Sequence, residues 1–286
     1  MRALTALILL ILSTGISRAE LSESAKAEIE AMHWFQALGY PLRDSKSSIG
    51  NLKGFQLLAG VEGRRFRDLV DGRSDPQQEA DVFNLQTNSE LVYEWFPLGY
   101  VTSADWSELD SDALLTQMRA SDAEANKIRL SKGLTTFTTQ GWRTKPNLNR
   151  DTNTVSWSIS GVDNKGGTIT NSVALKLGRY GFEKIVWVYD SSLIGDKDDL
   201  LFATNNHLFD AGSRYSDYVA STDHSAGYGV AGLVAGALGV KLVQGAGIGA
   251  ALIGMKKLAF LLIFPIIFLW KKFIGLFKRK GGPGLS

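Results

Sequence analysis

The sequence predicts an α+β fold: an antiparallel β-meander with helices packed on it, followed by a C-terminal transmembrane or hydrophobic helical anchor. Three observations carry this. Strand-like segments follow one another from Leu134 to Tyr189, separated by turn residues. An amphipathic helical stripe stands directly before them. The stretch from Ser225 to about Phe277 is apolar, rich in Gly and Ala, and interrupted mainly by lysines. Strands in succession, with helices gathered around them, define an α+β arrangement.

In chain order, Ser22 to Leu38 has apolar points at Ala27, Met32, Phe35 and Leu38, reads as a helix, and stops at Tyr40-Pro41. Leu52 to Leu58 reads as a short strand and Val61 to Val70 as a helix closed near Gly72. Leu91 to Tyr100 is aromatic and β-branched, which favours a strand ended around Pro97 to Gly99. The clearest helix is capped by Asp110 or Ser111, repeats Leu114, Met118, Ser121, Ala125 and Ile128, and exits at Gly133. Leu134 to Trp142 and Thr154 to Gly161 alternate as strands. Asn164 to Gly167 is a hairpin turn into Thr168 to Leu177, and Phe182 to Tyr189 completes the meander. A last helix is expected from a cap at Asp196 to Ala211, with Gly212 beyond it. The helices are expected on one face of the sheet.

Met1-Arg2, the apolar run Ala3 to Leu12 and the small-x-small site Ser17-Arg18-Ala19 have the layout of a secretory signal cleaved after Ala19. The chain then divides into a soluble domain, residues 20–223, a hydrophobic region, 224–277, and a basic tail, 278–286. There is no cysteine, which excludes disulfides, thiolate metal sites, cysteine nucleophiles and lipidation at cysteine.

The overall charge of +2 conceals an asymmetry. Glu20 to Val240 holds 21 Lys and Arg against 29 Asp and Glu, a balance of −8. Lys241 to Ser286 holds 8 basic residues and no acid. Basic residues flanking apolar segments mark the cytoplasmic side. The expected location is therefore the bacterial inner membrane, with the domain in the periplasm and the tail in the cytoplasm. A single Gly-rich crossing fits this charge rule. Leu258 to Phe277 then lies in the inner interface, whereas the competing helical hairpin would place Lys271 to Lys280 outside. Gly232 and Gly236, and Gly245 and Gly249, stand four apart in apolar sequence, a spacing that permits close helix packing in lipid and a homo-oligomer through this span.

The succession Asn126-Lys127, Gly133, Gly141-Trp142 and Trp157, continued by Leu177-Gly178-Arg179, Gly212 to Tyr218, Thr222-Asp223 and Tyr228-Gly229 before Gly232 to Gly236, resembles a bacterial family of uncharacterised membrane-anchored proteins, domain of unknown function 2167. The resemblance covers roughly Leu52 to Gly239. It implies an exported domain with a C-terminal anchor and no established activity. Ser158 to Gly161 departs from the more charged segment usual in the family.

Chemistry-bearing patterns are sparse. His33, His207 and His224 lack helical zinc spacing, and there is no His-Glu-x-x-His, Gly-x-Ser-x-Gly, Ser-x-x-Lys or phosphate-binding glycine loop. Asp196, Asp198 and Asp199 read as acids at a helix start. Asn149, Asp151 and Asn153 open like a calcium loop but lack its glycine and its twelfth-position acid. No catalytic, cofactor or metal residue is assigned, and the acidic domain argues against nucleic acid. Arg179, Arg214, Tyr215, Asp217, Tyr218 and Asp223 remain as a candidate interaction set at the membrane junction, with an Arg214–Asp217 ion pair and interfacial tyrosines as the structural reading. The functional expectation is a non-enzymatic envelope module that touches the lipid bilayer and binds an envelope protein. The alternative is a metal-free envelope hydrolase using paired carboxylates.

Overall fold

The computed structural model describes residues 21–71, 75–84, 89–131, 136–164, 166–189 and 198–238. Residues 1–19, expected to be a signal, Asp196, Gly245, Gly249 and residues 278–286 lie outside them.

Helix α1 (Glu23–Ala31) is capped by Ser22, whose Oγ accepts from the Ala25 N–H. It stops well before Leu38, because Phe35 begins strand β1 (Phe35–Leu42). The expected single helix therefore divides in two. Bulky Phe35 and Tyr40 suit a strand, and Pro41 is tolerated because β1 is an edge. Strand β2 (Ser47–Ala59) is longer than the seven residues expected. Helix α2 (Gly60–Asp71) leads to β3 (Gln78–Asn84) and β4 (Ser89–Phe96). Short β5 (Tyr100–Thr102) and a 3-10 turn at Trp106–Glu108 precede α3 (Ser111–Ser131). The Asp110 carboxylate caps α3 by accepting from the N–H groups of Asp112 and Ala113.

Strands β6 (Thr138–Asn149), β7 (Thr154–Val162), β8 (Thr168–Leu177) and β9 (Phe182–Tyr189) form the expected meander. The sheet continues beyond it. Its order is β1-β2-β3-β4-β9-β8-β7-β6, antiparallel at every step, so β4 and β9 join an N-terminal meander to a C-terminal one. Helix α4 (Asp199–Asn205) is shorter than expected and is capped by Asp198. The chain then extends as β10 (His207–Phe209), which pairs with residues 47–49 of β2. Strand β11 (Ser225–Gly229) pairs in parallel with β5, and α5 (Val230–Ala237) follows.

Alternation along the paired strands sorts the core. Leu91, Tyr93, Trp95, Ile185 and Trp187 share one face of β4 and β9, while Val92, Phe96, Phe182 and Val186 share the other. Both faces are covered, since β3 and β4 are buried along their whole length. Helix α2 lies on the second face, where Arg67 meets Asp81 and Glu90. Helix α4 lies on the first, where Asp199 accepts from Asn84 and Ser89. The one-sided arrangement of helices is thus corrected. The α4–β10 segment is the second cover; the helix expected from Asp196 to Ala211 is there in part, but it gives way to a strand at His207.

Candidate functional site

The residues singled out at the domain end converge on one corner of the fold. Arg179, in the turn between β8 and β9, forms a two-pronged ion pair with Asp223: Nε to Oδ2 at 2.7 Å and Nη2 to Oδ1 at 2.8 Å. Its Nη1 donates to the Gly212 carbonyl at 3.1 Å. These bonds hold the Asp223 carboxyl down at about pH 2, aided by the Val219 N–H at 2.7 Å. Asp217 serves the backbone, accepting from the N–H groups of Gly212 at 2.8 Å and Arg214 at 3.0 Å. The ion pair of this corner is therefore Arg179–Asp223, not Arg214–Asp217, because the Asp217 carboxylate is turned into its own loop. Arg214 is exposed.

Tyr215 donates its hydroxyl to the Val101 carbonyl at 2.9 Å. Tyr100 stacks on Tyr215 and Tyr218, with ring centroids 4.6 and 3.7 Å apart. The β5 backbone is secured as well, since the Tyr100 N–H donates to the His224 carbonyl and the Gly99 N–H to the Tyr180 carbonyl, both at 2.9 Å. Gly99 has φ +92, and a Cβ there would stand 2.8 Å from the His224 carbonyl oxygen. Only glycine fits this crossing.

The corner passes directly into α5. Buried Asp105 accepts from the N–H groups of Ala231 at 3.2 Å and Gly232 at 3.4 Å, satisfying the otherwise open start of that helix. All eight residues of α5, Gly232 and Gly236 included, are buried, and Val230, Leu233 and Val234 belong to the main core. Among the described residues no helix is long and apolar enough to cross a membrane.

A second constellation escaped the sequence reading. His207 Nε2 lies 2.9 Å from Ser47 Oγ, which in turn lies 2.7 Å from Ser45 Oγ. Glu183 Oε2 is 3.8 Å from the same His207 nitrogen. Glu79 stands beside Glu183 and uses Oε1 to accept from the N–H groups of Asp44 at 2.8 Å and Ser45 at 3.2 Å. Neither Glu183 oxygen, nor Glu79 Oε2, His207 Nδ1 or Tyr93 Oη, meets a hydrogen-bond partner. Burial first, and then the Glu79 charge, hold the Glu183 carboxyl well above the ordinary range. Burial, with the Lys176 charge adding to it, holds His207 down at about 3, so its ring is neutral. The sequence signal was slight: a lone histidine in a polar stretch, and an alternating strand with one glutamate on its inner side.

Serine, histidine and glutamate in contact invite comparison with a nucleophilic triad, and the geometry rejects it. A triad needs the carboxylate on the ring nitrogen opposite the serine. Here Ser47 and Glu183 both approach Nε2. Ser47 is 1% exposed and His207 and Glu183 are 0%, so no substrate reaches them. Two carboxyls side by side are present, but sealed. The other raised carboxyls, Asp81 and Glu94, are likewise interior and face Arg67 and Lys184. Asn149 closes the β6–β7 turn by accepting from the Asp151 and Thr152 N–H groups, which accounts for the calcium-like spacing. Among the described residues no group of three or more acids and histidines is arranged to hold a metal ion.

The fold and this corner together define a two-faced antiparallel α+β domain whose last elements are fastened to its core. By sequence the chain belongs to the family described as protein of unknown function (DUF2167), whose model matches residues 45–268. No curated protein matches it. A solution structure of cyanobacterial PsbP (CyanoP) from Synechocystis is similar over 60% of this chain and 91% of its own, with 8% identity and a TM-score of 0.36.

Proposed function

We propose that this chain is an exported, membrane-tethered binding module that performs no catalysis and presents the corner around Tyr180, Arg214 and Val219 to an envelope partner. One observation carries the reading. The contacting Ser47, His207 and Glu183 are sealed inside, whereas the Arg179–Asp223 pair fixes an exposed loop cluster to the element leading into the apolar C-terminal region. Tyr180 and Val219 are 39% and 44% exposed, and the Lys46 and Arg179 cations flank the Tyr180 ring. An aromatic residue with adjacent basic groups is suited to recognition. The charge asymmetry supports a periplasmic domain and a cytoplasmic tail. A hydrolase using paired carboxylates would need its pair at a cleft, and Glu79–Glu183 is not.

Single cysteines test the topology without interference, because the chain has none of its own. In intact cells, an impermeant reagent is expected to label Ser216→Cys and to spare Ser286→Cys. Labelling of both would overturn the single crossing. Photo-crosslinkers at Tyr180 and Val219 are then expected to yield a discrete adduct that Arg214→Glu abolishes. A crosslinker at Val61, 75% exposed and outside this corner, should not yield it. Equal adducts at all three positions, or none, would remove the docking assignment.

A further inference from the structure

The segment from Asp198 to Phe209 carries apolar residues on both sides. Leu201 at 55%, Phe202 at 42% and Leu208 at 57% are exposed, while Leu200, Ala203 and Phe209 are buried together with Asp199, Thr204 and His207. Polar contacts attach the segment as well. Asp199 accepts from Asn84 Nδ2 and Ser89 Oγ. The Thr204 carbonyl accepts from Lys176 Nζ at 2.9 Å. The Asn206 carbonyl accepts from the Gly50 N–H at 2.6 Å, and the Asp210 N–H donates to the Lys46 carbonyl at 2.9 Å. His207 reaches Ser47, and its ring stacks over Tyr93 with centroids 6.1 Å apart.

We propose that this segment is a proton-controlled strap, closed over the sheet while the buried Glu183 carboxyl keeps its proton and lifted when that proton leaves. The groups around that carboxyl leave few alternatives. From the β1–β2 hairpin come the hydroxyls of Ser45 and Ser47, which already bond each other and His207. From β3 comes Glu79, the like charge. From β4 come Tyr93, whose hydroxyl is unpartnered, and Glu94, which is engaged by Lys184. From β8 comes Lys176, the only cation acting on His207; its ammonium is spent on the strap carbonyl of Thr204. A buried carboxyl beside a second one cannot ionise at low cost. His207, on the strap, has its Nε2 3.8 Å from Glu183, so lifting the strap admits water to that carboxyl. The raised position of Glu183 and the depressed one of His207 agree with this state.

The test uses the full chain with single cysteines. Ala203→Cys, at a position of the strap that is 0% exposed, reports its opening. Leu208→Cys, on the outside, corrects for thiol reactivity, and Val155→Cys, buried in β7, reports global unfolding. With rising pH the maleimide labelling rate at position 203 relative to 208 is expected to increase, approaching the tenfold per unit set by release of one proton. Position 155 should not follow, and Glu183→Gln should flatten the rise. Amide exchange of Gly50 in the unsubstituted chain gives the same readout with no change of sequence: it should accelerate more steeply than the intrinsic tenfold per unit. A pH-independent ratio, a rise that survives Glu183→Gln, or a parallel rise at position 155 would each overturn the strap.

Discussion

Removing the Asp105 carboxylate is the sharpest single perturbation of the way this domain ends. The side chain is 9% exposed and accepts from two buried N–H groups at the start of α5. Asp105→Ala deletes the cap, which is worth about 0.5–2 kcal/mol. It also leaves two N–H groups in an apolar setting, each at about 1–3 kcal/mol if no water enters. These effects overlap, because the cap energy is partly the relief of those same donors. A loss of roughly 2–4 kcal/mol is the reasoned total. Asp105→Asn retains one acceptor oxygen and is expected to lose about half of that. In a domain of this size the alanine variant should melt roughly 5–12 °C lower. Urea unfolding followed by tryptophan fluorescence, with seven tryptophans in the chain, measures both variants. If Asp105→Ala lay within 0.5 kcal/mol of the parent, as ordinary surface substitutions do, the fastening of α5 by this residue would be refuted. Equal losses for Asn and Ala would refute the hydrogen-bond account in favour of charge.

Three further outcomes are expected. His207 binds no proton in the folded protein until about pH 3, whereas the unfolded chain takes one up near 6.5, so stability from this group falls by about 1.4 kcal/mol per unit as pH drops through that window. His207→Gln should remove this slope, and denaturant titrations between pH 4 and 7 will show whether it does. Arg179→Gln should return the Asp223 carboxyl from about 2 toward its ordinary 3.8, which carboxyl carbon chemical shifts would follow; an unmoved titration would deny Arg179 its role. The native pair contributes above 3.8 and is lost as pH falls through about 2. Gly181→Ala places a Cβ 2.0 Å from the Phe96 carbonyl oxygen, so the β4 and β9 backbones must part, at about 1–3 kcal/mol by thermal unfolding.

What was legible in the sequence is what is local. The β7–β8 hairpin announces itself through Gly166-Gly167 between alternating runs, and it pairs residue for residue from Thr154–Lys176 to Val162–Thr168. The long helix is legible from its Asp110 cap and from Leu114 and Met118, both buried. Strand β3 was not legible. Gln78-Glu79-Ala80-Asp81 reads as a polar loop, and Arg67, from a separate helix, together with Gln78 makes Asp81 acceptable inside. The His207 cluster was hidden for the same reason: it draws on four segments between Ser45 and His207, none of which carries a pattern alone. The residues named for the candidate corner do come together, but their pairing was not legible, because spacing of three suggested Arg214–Asp217 while the partner of Asp223 lies 44 positions away.

The parallel pairing of β11 with β5 has a consequence for the order in which the molecule is made. Synthesis delivers the N-terminal portions of a domain first. Tyr100, Val101 and Asp105 are in place early, yet the groups that cover them arrive more than a hundred residues later, with Tyr215, His224 and Ala231. Each of the two meanders can form from nearby partners, but this corner stays open until the chain has emerged through α5. Completion of the domain and delivery of the hydrophobic segment that follows are therefore a single event in time. A chain stopped short of Val230 would be left with an unfinished core around β5.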